Sequence, residues 1–311
     1  MSQHRLIIGT RGSSLALWQT EHVSRLLQDA HHDLDIEVRT IQTLGDRVRD
    51  RALSQIGGKG LFVKEIETAL LADEIDLAVH SLKDMPTEQP DGLILGAIPE
   101  RADARDALVV RDSTGGLLEL PPGARVGTSS LRRRTQVLAA RPDLQVLDLR
   151  GNVDTRLRKL GEGQYEAIVL AVAGLVRLGR VEAITQYLSL EDMLPAVGQG
   201  ALCVEVRAGD DVTQRLVALL DHPPSRQATE AERAFLRRLE GGCQVPIGAY
   251  AEVSEGSLHL QGLVAALDGT RLVRSETHGP AAEAAQLGTE LGERILASGG
   301  EAILAEVRRA S

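Results

Sequence analysis

Aromatic residues are scarce, with one Trp, three Tyr and two Phe in 311 residues. The chain therefore lacks stacking platforms for bases, and its formal charge of −9 gives no general attraction for a phosphate backbone. A general nucleic-acid binder is excluded. Only two cysteines occur, Cys203 and Cys243, with no CxxC pair. That excludes a disulfide-dense scaffold and fits a reducing, cytoplasmic setting. No apolar run approaches the roughly 18 residues of a membrane helix, and the first residues lack the apolar segment of a signal peptide. Nucleotide signatures are incomplete: Gly57-Gly-Lys-Gly60 lacks the upstream glycine and the Ser/Thr of a phosphate loop, and Gly198-Gln-Gly200 lacks a third glycine. There is no HExxH, and the eight histidines are scattered, so no metal is expected.

What is present is an ordinary apolar share of 43%, carried by Leu, Val, Ile and Ala, in a chain long enough for two or three domains. Short apolar runs alternate with helical patterns through the first two-thirds. Strands are expected at Arg5–Thr10, Ile36–Thr43, Ile75–His80, Val126–Thr128, Gln145–Leu149, Ile168–Val172 and Ala201–Val206. Helices are expected at Ser13–Ala30 (with Leu15, Trp18, Val23 and Leu26 near one face), Leu61–Ala72, Ser129–Arg141 and Val153–Leu160. Leu44–Gly60, polar and glycine-bearing, reads as a long loop, and the polar stretch Pro99–Asp106 reads as the boundary before a second unit. This alternation predicts an α/β fold with mainly parallel sheets. From His222 the order changes: a charged helix over Ser225–Leu239, a loop over Glu240–Gly248, strands over Tyr250–Val253, Leu258–Leu267 and Leu272–Glu276, then helices near Ala281–Ala297 and Glu301–Arg309. That predicts a small C-terminal α+β domain.

Charge is uneven. Residues 121–160 hold eight arginines and one lysine against Asp143, Asp148 and Asp154, so this stretch is +6 within an acidic protein. Thr128-Ser129-Ser130 opens the helix carrying Arg132, Arg133 and Arg134. A helix start offers backbone N–H groups and a positive dipole end, and guanidinium groups complete an anion site. The plainer alternative is a solvated arginine face; three consecutive arginines cannot share one face of a helix, so some are surface charge. The segment echoes Thr10-Arg11-Gly12-Ser13-Ser14, also at a strand-to-helix junction, which points to two similar units. Ligands of open α/β sheets bind outside the carboxyl ends of strands, where both echoes should lie.

Asp84, in His80-Ser-Leu-Lys-Asp-Met-Pro86, follows a strand; Pro86 keeps the preceding residue out of helical geometry, so Lys83 and Asp84 sit on a turn. A carboxylate there could move protons or stabilise a developing cation. By pattern alone the simpler reading is a turn-forming Asp. Cys203, in an apolar strand, reads as packing. Cys243, in Gly241-Gly-Cys-Gln-Val-Pro246, is either a reactive loop thiol with a lowered pKa or an inert loop cysteine.

Seven segments in order resemble the porphobilinogen deaminase (hydroxymethylbilane synthase) family of tetrapyrrole biosynthesis. They are Gly9-Thr-Arg-Gly-Ser-Ser-Leu-Ala-Leu-Trp-Gln19, Gly57-Gly-Lys-Gly-Leu-Phe62, His80-Ser-Leu-Lys-Asp-Met-Pro86, Gly127-Thr-Ser-Ser-Leu-Arg-Arg133, Arg150-Gly-Asn-Val-Asp-Thr-Arg156, Pro195-Ala-Val-Gly-Gln-Gly-Ala-Leu202 and Gly241-Gly-Cys-Gln-Val-Pro246. Asp46–Ile56 is its own sequence, and the last third beyond Pro246 is less distinctive. The resemblance implies two periplasmic-binding-protein-like (type II) lobes with mainly parallel sheets plus a small C-terminal α+β domain. Residues 1–99 and 200–218 would form domain 1, residues 100–199 domain 2 and residues 222–311 domain 3. It implies a transferase that condenses four porphobilinogen molecules head to tail, with loss of ammonia, on a dipyrromethane cofactor, and releases hydroxymethylbilane. Cys243 would carry that cofactor through a thioether, and Asp84 would be catalytic. Lys83, Asp84, Ser13, Ser81, Thr128, Ser129, Ser130, Arg132, Arg133 and Arg150 would bind the cofactor. Arg11, Gln19, Phe62, Arg150, Arg156, Arg177 and Gln199 would bind substrate, and Asp46 and Lys59 would belong to a lid. The implied partners are porphobilinogen and the growing polypyrrole chain, with no nucleic acid, membrane or metal, in a monomer. Cofactor and four substrates together present twelve carboxylates, which suits the +6 stretch. A non-enzymatic two-lobed clamp for a small anion is the alternative, but it leaves domain 3 and Cys243 unexplained.

Overall fold

The computed structural model describes residues 4–43, 63–240 and 245–310. The expected lid with Asp46 and Lys59, together with Phe62 and Cys243, lies outside the described residues. In chain order, the N-terminal elements are β1 (His4–Thr10), α1 (Ser14–Ala30), β2 (Leu34–Thr40), α2 (Lys64–Leu71), β3 (Leu77–Ser81) and β4 (Leu93–Ala97). Next come β5 (Asp106–Val110), β6 (Arg125–Gly127), α3 (Leu131–Ala140), β7 (Gln145–Leu147), α4 (Val153–Gly161), β8 (Ala167–Ala171), α5 (Val172–Arg177) and β9 (Gln186–Tyr187). The chain continues through β10 (Leu202–Arg207), α6 (Asp211–Ala218) and α7 (Pro223–Arg238). It ends with β11 (Ile247–Ser254), β12 (Ser257–Ala265), β13 (Leu272–Pro280), α8 (Ala284–Ile295) and α9 (Glu301–Ala310).

Two compact units result, Met1–Arg101 with Ala201–Arg226, and Ala102–Gly200 with Gln227–Ser311. The first holds a five-stranded sheet in the order β2-β1-β3-β10-β4, the second a five-stranded sheet in the order β7-β6-β8-β5-β9. In each sheet four strands run one way, and a single reversed strand, β10 or β5, sits next to the edge strand. The two sheets therefore repeat one plan, the doubled, mainly parallel α/β architecture expected from the sequence. In the first unit Ile8 pairs with Val38 and Leu77, and Ile8, Val23, Leu77, Val79, Leu202 and Val204 form one core. Strands covered on both faces lose the polar alternation of an exposed sheet, so β3 and β10 read as nearly unbroken apolar runs.

Three sequence expectations shift. The buried stripe of α1 is Ala16, Gln19, Thr20, Val23, Ser24 and Leu27, so of the expected Leu15, Trp18, Val23 and Leu26 it contains Val23 alone. It keeps helical spacing, and Trp18 stacks on His22 at 5.1 Å. Strand β5 begins at Asp106, inside the stretch read as a polar boundary, because tertiary pairing with β8 and β9 outweighs that first charged residue. Strand β13 runs on to Pro280, held by its full register with β12.

The second unit also holds the antiparallel sheet β11-β12-β13. One face of this sheet packs on α7, α8 and α9 through Leu258, Leu260, Phe235, Leu291 and Leu304. Phe235 is fully buried, a burial that contributes about 1.5–3 kcal/mol. Gly262 makes room for it: a Cβ there would fall 2.6 Å from the ring.

Candidate active site

Both echoed motifs sit where a strand hands over to a helix. Ser13 caps α1, its Oγ accepting from the Ala16 N–H at 3.2 Å, and Ser130 caps α3, its Oγ accepting from the Arg133 N–H at 3.5 Å. Strands β1 and β6 hold equivalent places in their sheets, so the sequence echo marks topologically equivalent positions. Capping engages one first-turn N–H; the others have no intrahelical acceptor. The second loop is pinned further. The Thr128 Oγ1 accepts from Ser130 N at 3.2 Å, and the Ser129 hydroxyl bonds both the carbonyl and the N–H of Leu149, at 2.9 and 3.1 Å. This places Ser129 beside Arg150, which follows Leu149 directly.

At the first turn of α3, Arg132 and Arg133 turn inward and Arg134 outward. Arg132 and Arg133 are 4% and 6% exposed, and both bind Asp106, which is fully buried at the start of β5. Arg132 donates to Asp106 and to the Leu194 carbonyl, each at 2.7 Å. Arg133 donates twice to Asp106, at 3.1 and 2.7 Å, and once to the Val169 carbonyl at 3.0 Å. Gln199, also buried, adds a fourth donor to the same carboxylate at 2.9 Å. Burial opposes the charge on Asp106, yet the two guanidinium groups hold its carboxyl well below the usual range. The Arg132 Nε is buried with no acceptor among the described residues. Asp106 was not singled out in the sequence; the available signal was a charged residue opening the run Ala-Leu-Val-Val.

The Gly198-Gln-Gly200 motif acquires a structural reason here. Gly200 has φ +87°, and a Cβ on it would run into the Ala102 carbonyl, so this turn presents Gln199 to Asp106.

In the first unit, β3 ends at Ser81 and a single tight turn carries Leu82, Lys83 and Asp84. Met85 is extended before Pro86 (φ −81°, ψ 138°), which stops the turn from continuing as helix. The turn is anchored by Leu82 N donating to the Ala201 carbonyl at 3.0 Å, and Leu82 and Met85 pack with Ala201 and Cys203. Cys203 is fully buried, as its apolar setting suggested. Lys83 and Asp84 are half-buried at the carboxyl end of β3. Buried Gln19 donates to the Ser81 hydroxyl at 2.9 Å, so the structure brings these two together beside the turn. Arg11 lies just beyond β1. One residue before Ser81, His80 meets Glu205 of β10 at 3.1 Å, with both side chains buried. Neither was picked out by sequence, because the pair exists only once β3 and β10 are neighbours.

Much of the +6 stretch is consumed within the fold. Arg125 binds Glu166, whose carboxyl is held down at about 2 mainly by that contact. Arg141 binds Asp143 and the carbonyls of Leu117, Leu118 and Leu120. Arg158 pairs with Glu162. Arg150 and Arg156, half-buried, flank the turn before α4, with Arg156 Nε on the Gly151 carbonyl at 2.8 Å. Arg177, at the end of α5, donates to the Gly200 carbonyl at 2.7 Å, and burial lowers its pKa to about 10.

Comparison with known proteins agrees with the resemblance. Residues 6–215 match the family model "Porphobilinogen deaminase, dipyromethane cofactor binding domain", and residues 227–297 match "Porphobilinogen deaminase, C-terminal domain". The chain is 52% identical to a porphobilinogen deaminase of Pelobacter propionicus over 99% of this chain and 98% of that one. It is 55% identical to one of Roseiflexus castenholzii over 97% and 99%. A solved substrate-binding domain of a putative amino acid ABC transporter from Streptococcus pneumoniae is 12% identical with a TM-score of 0.45, covering 75% of this chain and 94% of that one.

Proposed function

The chain belongs to the porphobilinogen deaminase family, and from that membership we propose that it condenses four porphobilinogen molecules head to tail, with loss of ammonia, and hydrolytically releases hydroxymethylbilane. The reading is carried by one placement. Asp84 and two serine-capped helix starts lie at the carboxyl ends of strands, inside the span matching the dipyrromethane-binding domain.

The described residues fit such a cofactor. Its acetate and propionate groups need donors, and Arg132 retains a buried Nε–H without an acceptor among the described residues. Cys243 would hold the group by a thioether. Ser13, Ser81, Lys83, Asp84, Thr128, Ser129, Ser130, Arg132, Arg133 and Arg150 would bind its polar atoms. When bound, the cofactor supplies the primer position for the first coupling.

The chain's own groups do the rest. Arg11, Arg150, Arg156 and Arg177 orient substrate carboxylates, with Gln19, Gln199 and Phe62 as further substrate contacts. The Asp84 carboxylate accepts pyrrole N–H bonds and stabilises positive charge that develops on substrate as ammonia leaves. The Asp106 anchor fixes the two arginines of α3 in one orientation, so their remaining donors face a ligand without reorganising. Asp46 and Lys59 are assigned to a lid, and three domains (1–99 with 200–218, 100–199 and 222–311) to a cytoplasmic monomer.

Intact-protein mass spectrometry tests this. Wild type should carry the added mass of one dipyrromethane, and Cys243→Ser should not. An unmodified wild type that consumes no porphobilinogen would overturn the assignment and favour an anion-binding protein.

A further inference from the structure

The antiparallel sheet β11-β12-β13 carries a group of metal-ligating side chains that the proposed reaction does not use. Register places Glu252, His259 and His278 in one row across the three strands: Glu252 is opposite His259, and His259 opposite His278. Glu276 lies two residues before His278 on β13, so it shares that face. The opposite face, with Leu258 and Leu260, is buried against the helices, so this row looks outward. The two imidazole rings lie parallel, with centroids 4.1 Å apart and planes within 7°. His259 Nε2 is 3.2 Å from a Glu276 carboxylate oxygen, and its Nδ1 is 4.0 Å from Glu252. One ligand atom from each of His259, Glu276 and His278 lies within 4.8 Å of the others.

We propose that His259, His278 and Glu276 form a binding site for a divalent first-row transition metal ion, such as Zn2+, Ni2+ or Cu2+, on the outer face of the C-terminal sheet. The donor set decides the class. Two imidazoles and a carboxylate suit borderline ions, whereas Mg2+ and Ca2+ prefer all-oxygen shells. Geometry agrees. Tetrahedral ligation with bonds of about 2.0–2.1 Å needs donors about 3.3 Å apart. The His259–Glu276 pair already stands at 3.2 Å. Rotation of the exposed Glu276 and His278 side chains would close the widest separation, which is at most 4.8 Å. Glu252, on the far ring nitrogen of His259, would orient that imidazole, the usual carboxylate support behind a ligating histidine. Three protein ligands on an open face leave water in the remaining position. Bound metal would tie β12 to β13 and stabilise the native state by linkage.

The test uses the full chain, freed of metal with chelator and titrated by calorimetry with Zn2+, Ni2+ and Mg2+. The expected result is saturation at one equivalent of Zn2+ or Ni2+, a rise in melting temperature with Zn2+, and no heat with Mg2+. His278→Ala, an exposed substitution, should weaken binding about tenfold or more and remove the thermal shift. Glu252→Gln should weaken it less. Absence of saturable Zn2+ and Ni2+ binding would overturn the proposal, as would binding that His278→Ala leaves unchanged.

Discussion

Replacing Asp106 by Asn keeps its shape and removes only its charge. The wild-type carboxylate is fully buried and accepts four hydrogen bonds: one from Arg132, two from Arg133 and one from Gln199. The amide keeps one acceptor oxygen and turns an NH2 toward cationic donors. Two guanidinium groups, nearly as buried, then lack a counter-charge. Losing one partner of a buried ion pair costs about 3–5 kcal/mol. A domain is usually stable by about 5–15 kcal/mol, so this is a large fraction. At about 2–4 °C per kcal/mol, the second unit should melt roughly 6–20 °C lower. Urea unfolding followed by circular dichroism should give a lower midpoint with an unchanged slope. The pH dependence has a definite sign. The folded-state pKa of Asp106 is depressed below the unfolded value of about 3.9. Its contribution is therefore complete above about pH 4 and lost as pH falls through the folded value. The variant should lack that part of the acid loss. A companion, Asp106→Leu with Arg132→Met and Arg133→Leu, removes all three charges together and should be close to wild type in stability while losing cofactor retention. An Asp106→Asn protein within about 1 kcal/mol of wild type would refute the idea that this pair anchors the α3 arginines.

Asp84→Asn should leave the melting temperature nearly unchanged and nearly abolish porphobilinogen consumption, since Asp84 sits half-buried on a turn rather than in a core; wild-type turnover would remove it from the chemistry. Ser130→Ala deletes the cap of α3 and should cost about 1 kcal/mol, read in the same urea assay. Because the Ser130 Oγ contact to Arg133 N is long, at 3.5 Å, a loss well above 2 kcal/mol would mean the hydroxyl does more than cap.

Legibility in the sequence followed from how local each feature is. The capped helix starts at Ser13 and Ser130 were readable because a cap is set by a few adjacent residues. The turn at Asp84 was readable because Pro86 constrains its neighbour whatever the rest of the chain does. The buried face of α1 is legible at Val23 but not at Leu15, Trp18 or Leu26, which lie off it, because hydrophobic size alone does not decide which residues meet the sheet.

The sequence by itself determined the alternating α/β plan, the repeated strand-to-helix junctions and, through seven ordered motifs, the family. Those properties rest on hydrophobic period, backbone constraints and residue order, all carried along the chain. Tertiary structure alone decided the partners of the charges. Read linearly, residues 121–160 were a +6 surface awaiting an anion; folding brings Asp106 and Glu166 to three of those arginines and leaves fewer of them for a ligand. It likewise set His80 against Glu205, and His259 against His278. Electrostatic and ligating contacts depend on distances across strands, and no spacing in the sequence encodes which strands become neighbours.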